Sequence, residues 1–165
     1  MQRADTLEFL LGTWDLTREI EDHRAQLSGL FEGRATLLVA ESLGSVRSSR
    51  RARYDESGEL RIGTRTTRAS RSLVYEQLND ASVMMRFTDG SPFVDLNLQG
   101  GEWHALHRCG DDLYEMVTTV CSESVIQERW RVTGPSKDYA AITRLTRVDQ
   151  HSETSRRAKS VAQRR

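Results

Sequence analysis

Helical periodicity is scarce in this sequence, lysine is nearly absent, cysteine is rare and no apolar run is long. No segment approaches the roughly 20 apolar residues that a membrane-spanning helix needs. The opening MQRADTLEFLLG carries one arginine, then acids and a very short apolar run. It lacks the long apolar stretch and small-residue cleavage site of a secretory signal. The expectation is a soluble, cytoplasmic protein with no membrane partner. Formal charge is zero, with 24 basic and 24 acidic side chains, so no global field draws the chain to nucleic acid. Only Lys137 and Lys159 among the basic residues are lysines, a skew that carries little functional weight. Cys109 and Cys121 do not make a disulfide framework, and reduced thiols are expected. There is no CxxC pair, HExxH, Gly-rich phosphate loop, Ser-His-Asp order or dinucleotide fingerprint, so neither a metal nor a cofactor is expected.

What the chain does have is period two. Apolar residues alternate in short runs separated by Gly, Asp, Asn, Ser or Pro, the pattern of half-buried antiparallel strands. The runs are 13–21, 28–40, 45–55, 59–68, 72–78, 82–89, 93–99, 101–109, 114–121, 125–133 and 139–148. Between them DESGE, QLNDAS, TDGSP, LQGGEW, RCGDD and TGPSKD carry turn chemistry. The start is the one helical piece: Asp5 or Thr6 caps a short turn with Leu7, Leu10 and Leu11 on one face, and Gly12 ends it. So many strands strain as an open sheet, whereas an up-and-down barrel removes exposed edges and leaves an interior that packs solid or holds one small ligand. The fold expected is an all-β antiparallel barrel over residues 1–148. Residues 149–165, with five basic and two acidic side chains and almost nothing apolar, read as a disordered basic tail.

Gly12-Thr13-Trp14, after a short helix and at the start of the first strand, resembles the N-terminal signature of lipocalins and their calycin relatives, in which the Trp plugs one barrel end. FLLGTW, FEG, YDESGELRIG, FTDGSPFVDLNL, HRCGDDLYE and WRVTGPSKDY follow in order. Together they are similar to an uncharacterised family of small bacterial and fungal proteins, domain-of-unknown-function family 6314, from Phe9 to Arg147. The resemblance implies a calycin-like barrel and names no activity. That family often has His after the Pro-Phe pair, where this chain has Val94, so chemistry at that histidine does not transfer.

Several groups are candidates for a site. In EWHALHRCGDDLYE, strand parity puts Trp103, Ala105, His107 and Cys109 on one face and His104 on the other. This parity argues against a His104–His107–Cys109 metal site, and haem on one axial His has no specific sequence support. Asp112 and Tyr114 share a face beyond the next turn, and with His107 they could do acid–base work. In GPSKDY, Lys137, Asp138 and Tyr139 present a cation, an anion and a phenol that could clamp an acidic group at the rim. Eight arginines crowd the region from Arg47 to Arg71. Acidic interruptions and the lack of a recognition motif disfavour nucleic acid, and Arg51 and Arg53 share parity, so an inward counter-charge falls to both or neither.

The function expected is an intracellular carrier or sensor for a small apolar or amphipathic molecule. Trp14, Met85, Phe87, Phe93, Trp130 and Tyr139 would supply walls, and Arg53, His107, Tyr114 and Lys137 polar anchors. The alternative is a lyase or isomerase, a cyclase acting on a polyketide- or terpenoid-like substrate, with His107 and Asp112 moving protons and Tyr114 donating a hydrogen bond.

Overall fold

The computed structural model describes residues 5–40 and 50–148, so the tail expected over 149–165 lies outside the described residues. Helix α1 spans Thr6–Leu10. The strands are β1 (Gly12–Asp22), β2 (Leu27–Val39), β3 (Arg51–Ile62), β4 (Arg65–Gln77), β5 (Ser82–Arg86), β6 (Pro92–Asn97), β7 (Glu102–Cys109), β8 (Asp112–Ser122), β9 (Val125–Thr133) and β10 (Asp138–Arg147). Every pairing is antiparallel, in the order β6-β5-β4-β3-β2-β1-β10-β9-β8-β7. All sequence neighbours except β6 and β7 pair, and the β1–β10 pair joins the chain's two halves. The result is the expected up-and-down barrel, nearly closed. Its seam lies between β6 and β7, where the Trp103 indole N–H donates across to the Asp95 carbonyl at 3.1 Å.

Helix α1 exists because Asp5 accepts from the Leu7 and Glu8 amides at 2.8 and 3.1 Å, satisfying free donors of the first turn. It buries Leu7 and Leu10 and closes one end of the barrel. Trp14 completes this plug: its indole N–H donates to the Leu10 carbonyl at 2.9 Å, and the Arg147 guanidinium lies 4.1 Å from its ring centre. Arg147 in turn donates to the Leu11 carbonyl at 2.8 Å and to that of Phe9, tying the last strand to the helix. The plugging Trp implied by the resemblance is therefore where it should be.

One stretch is built differently from its sequence reading. DESGE was expected to turn, with separate strands over 45–55, 59–68 and 72–78. Instead β3 runs straight through it, and the chain reverses at Gly63, whose φ is +57°. The reason is that Gly58 pairs with Gly33 on β2. A Cβ on Gly58 would sit 2.2 Å from the Glu32 carbonyl oxygen, and one on Gly33 2.3 Å from that of Ser57. Here glycine marks a close approach of two strands and not a reversal.

Inward positions change character along the barrel axis. On β1 they are Trp14, Leu16, Arg18, Ile20 and Asp22; on β10, from the same end, Leu145, Thr143, Ala141 and Tyr139. Register aligns Arg18 with Thr143, Thr143 with Glu128 on β9, and Glu128 with Thr118 on β8. A polar layer thus lies above the plugged apolar core and below the open end.

Candidate functional site

The polar layer is organised by Glu56, which alternation on β3 aims inward with Ala52 and Tyr54. Arg18 donates to both of its oxygens, at 2.8 and 3.0 Å, and through Nε to Thr143 at 2.8 Å. The Tyr54 hydroxyl donates to Glu56 Oε2 at 2.6 Å, and Arg71 Nη2 donates to the same oxygen at 3.2 Å. Burial alone would raise the Glu56 pKa, but the Arg18 hydrogen bonds and the Arg71 charge outweigh it and hold the group at about 2. Tyr75 stacks on Tyr54 with ring centres 5.6 Å apart, and burial raises both phenol pKa values. Glu128 completes the layer. Burial raises its pKa despite the nearby Arg71 and Arg18 charges.

Above this floor the barrel opens into a cavity of about 400 Å³, within the size range of small-molecule sites. Ile20, Val132 and Ala141 give it an aliphatic side, and Phe93, Tyr114, Trp130 and Tyr139 an aromatic one, with Arg18 and Arg71 beneath. Phe93 and Trp130 stack face to face, ring centres 5.3 Å apart and planes 6° from parallel. Phe93 reaches inward because of a bulge: Met85 pairs with Val94 and Arg86 with Pro92, leaving Phe93 between them. A second space of about 200 Å³ adjoins along the seam, lined by Arg71, Phe87, Phe93, His107, Cys109 and Tyr114. Phe93, Tyr114 and Arg71 border both.

At the rim three groups separated in sequence meet. Lys137 Nζ lies 2.7 Å from Asp112 Oδ2 and donates to the Tyr114 hydroxyl at 2.8 Å. The hydrogen bond to Asp112, then that to Tyr114, raises the Lys137 pKa and keeps it charged. Asp112 packs so closely on the following turn that a Cβ on Gly134 would stand 1.9 Å from its Oδ1.

The structure thus brings Phe93, Tyr114, Trp130 and Tyr139 to one cavity, Lys137 and Asp112 to its rim, and His107 and Phe87 to the seam. His107 meets Phe93 and Tyr114 edge-on at 5.2 and 5.8 Å. It does not pair with Asp112, which Lys137 holds. His104 faces outward and pairs with Glu102. Three candidates stand elsewhere. Arg53 points outward and pairs with Asp55 at 2.7 Å, because Tyr54 and Glu56 take the inward parity of β3. Met85 is packed in the core at 2% exposure. Trp14 belongs to the plug and borders only a space of about 20 Å³. The inward arginines are Arg18 and Arg71. Sequence reading passed over Arg18, Glu56 and Glu128, and counted Arg71 only as one of a crowd. The signal was parity: Arg18 is two residues beyond Leu16, and Glu128 two beyond Ile126.

A family model, "Family of unknown function (DUF6314)", matches residues 10–147. No curated protein matches the chain. Among solved structures it is similar to the S-type phycobiliprotein lyase CPES from Guillardia theta, with a TM-score of 0.65 at 11% identity over 87% of this chain and 91% of that one. It is also similar to a redesigned beta barrel, mFAP1, bound to DFHBI, with a TM-score of 0.41 at 11% identity, covering 86% of this chain and 97% of that one. At such identity the lyase shares a fold with this chain, and the fold alone is what the likeness shows.

Proposed function

We propose that this chain, which belongs to the family of unknown function DUF6314, holds a small, largely apolar molecule in the open end of its barrel. The observation that carries this reading is the cavity of about 400 Å³ with aromatic and aliphatic walls over a polar floor. The plugged end is packed solid, so the two ends differ in purpose. Phe93 and Trp130 hold each other in place by stacking, and preorganised walls lose little freedom on binding. The Guillardia theta barrel is a phycobiliprotein lyase by name, which is compatible with a barrel of this shape serving a small molecule.

The test is a fluorescence titration with the neutral probe N-phenyl-1-naphthylamine. One probe is expected to bind per chain. Trp130→Ala removes one wall and should weaken binding about tenfold, from the lost aromatic contact and buried area. No saturable binding, or equal affinity in the variant, would refute the assignment.

A further inference from the structure

Resting on that reading, we propose that the molecule held in the barrel carries a carboxylate, which docks on the Arg71 guanidinium at the cavity floor. Arg71 gives one hydrogen bond, from Nη2 to Glu56, and its Nε–H is buried with no partner among the described residues. A buried donor without an acceptor is costly and rare in a folded protein. Glu56 already accepts four hydrogen bonds, two from Arg18 and one each from Tyr54 and Arg71 Nη2, as many as a carboxylate has lone pairs. Arg71 borders both the main cavity and the seam space, so an acceptor can reach it from the open end.

The charge of the layer points the same way. Arg18 and Arg71 face one carboxylate that stays ionised, Glu56, and a second, Glu128, that burial drives toward its neutral form. The other groups packed there are the phenols of Tyr54 and Tyr75, held neutral, and the hydroxyls of Thr118 and Thr143. Protonation of Glu128, which burial favours, leaves the floor with one positive charge more than Glu56 balances. A carboxylate supplies one negative charge and two acceptors in the plane that a guanidinium prefers. A phosphate dianion would overshoot that balance. At the rim Lys137 is already matched by Asp112, and Asp22, which also borders the cavity, sets a negative charge near the mouth and away from the floor. The ligand class is therefore a flat, apolar monocarboxylic acid, its acid end down and its apolar body against Phe93 and Trp130.

Calorimetric titration of the full chain with 2-naphthoate and the isosteric, uncharged 2-naphthamide tests this. Wild type is expected to bind the acid at least about tenfold more tightly, the worth of a charge-assisted hydrogen bond. Arg71→Met should abolish that preference while the amide still binds, which also reports that the cavity is intact. Glu128→Gln keeps that position neutral and should leave the preference for naphthoate at least as large as in wild type, with naphthamide unchanged. Equal affinity of wild type for both probes would overturn the carboxylate and leave the apolar cavity standing, whereas absence of binding by either would overturn both. A preference that survives Arg71→Met would overturn the docking residue. Should Arg71→Met fail to fold, Glu128→Gln decides: a preference for naphthoate smaller than in wild type overturns the inference.

Discussion

Glu56→Ala is expected to destabilise the fold by about 3–5 kcal/mol, the cost of removing one partner from a buried charge cluster. Arg18 and Arg71 would then face each other inside the barrel with no carboxylate between them, and the Tyr54 hydroxyl would lose its acceptor. In urea unfolding the midpoint should fall while the slope stays constant. A loss below about 1 kcal/mol would show that water or Glu128 replaces Glu56 and that the layer is not held as described.

The same group sets the acid limb of stability. The Glu56 pKa is lowered from 4.5 to about 2 on folding. Its contribution, about 3 kcal/mol, is fully present above 4.5 and lost as pH falls through about 2. Glu128 acts with the opposite sign. Its folded pKa lies above 4.5, so its contribution is fully present below 4.5 and lost as pH rises through that raised value. From these two groups stability should be highest near pH 4.5, falling above it as Glu128 ionises and below it as Glu56 is protonated, and the gap between wild type and Glu56→Ala should narrow on the acid descent.

Trp14→Ala is the second large effect, also about 3–5 kcal/mol, as for a large aromatic deleted from a packed interior. Trp14 is 2% exposed, bonded to the Leu10 carbonyl and covered by Arg147. Its loss should detach helix α1 and the last strand together. Because Trp14 sits at the plugged end, N-phenyl-1-naphthylamine affinity should change less than about threefold under conditions where the variant is folded. A variant of full stability would remove Trp14 from the plug. One that is stable but fails to bind the probe would place the ligand at the wrong end.

Which features were legible in the sequence follows from what alternation encodes. Period two found the strands, and turn residues found most of their ends. It also grouped Asp112 with Tyr114 and placed His104 opposite His107. Alternation alone does not say which side of a strand is inside when both sides are polar. On β3 the sets Arg51, Arg53, Asp55 and Ala52, Tyr54, Glu56 both carry charge, so charge alone makes Arg53 as good an inward candidate as Glu56. Tyr54 could have set the phase. The bulge at Phe93 shifts parity by one residue, which no alternation records. Gly58 was read as a turn because a glycine needed for flexibility and one needed for close strand approach are the same letter. The buried charge layer was missed for a related reason: its members come from β1, β3, β4 and β9, and only the closure of the barrel makes them neighbours.

The three tryptophans make the central claim directly measurable. Their indole N–H groups report the plug (Trp14), the seam (Trp103) and the open-end cavity (Trp130) as separate signals in a nitrogen–proton correlation spectrum of the labelled protein. Saturating N-phenyl-1-naphthylamine is predicted to shift the Trp130 signal most and leave that of Trp14 in place. A shift at Trp14 with Trp130 unmoved, or binding that moves none of the three, would contradict a ligand site at the open end of the barrel.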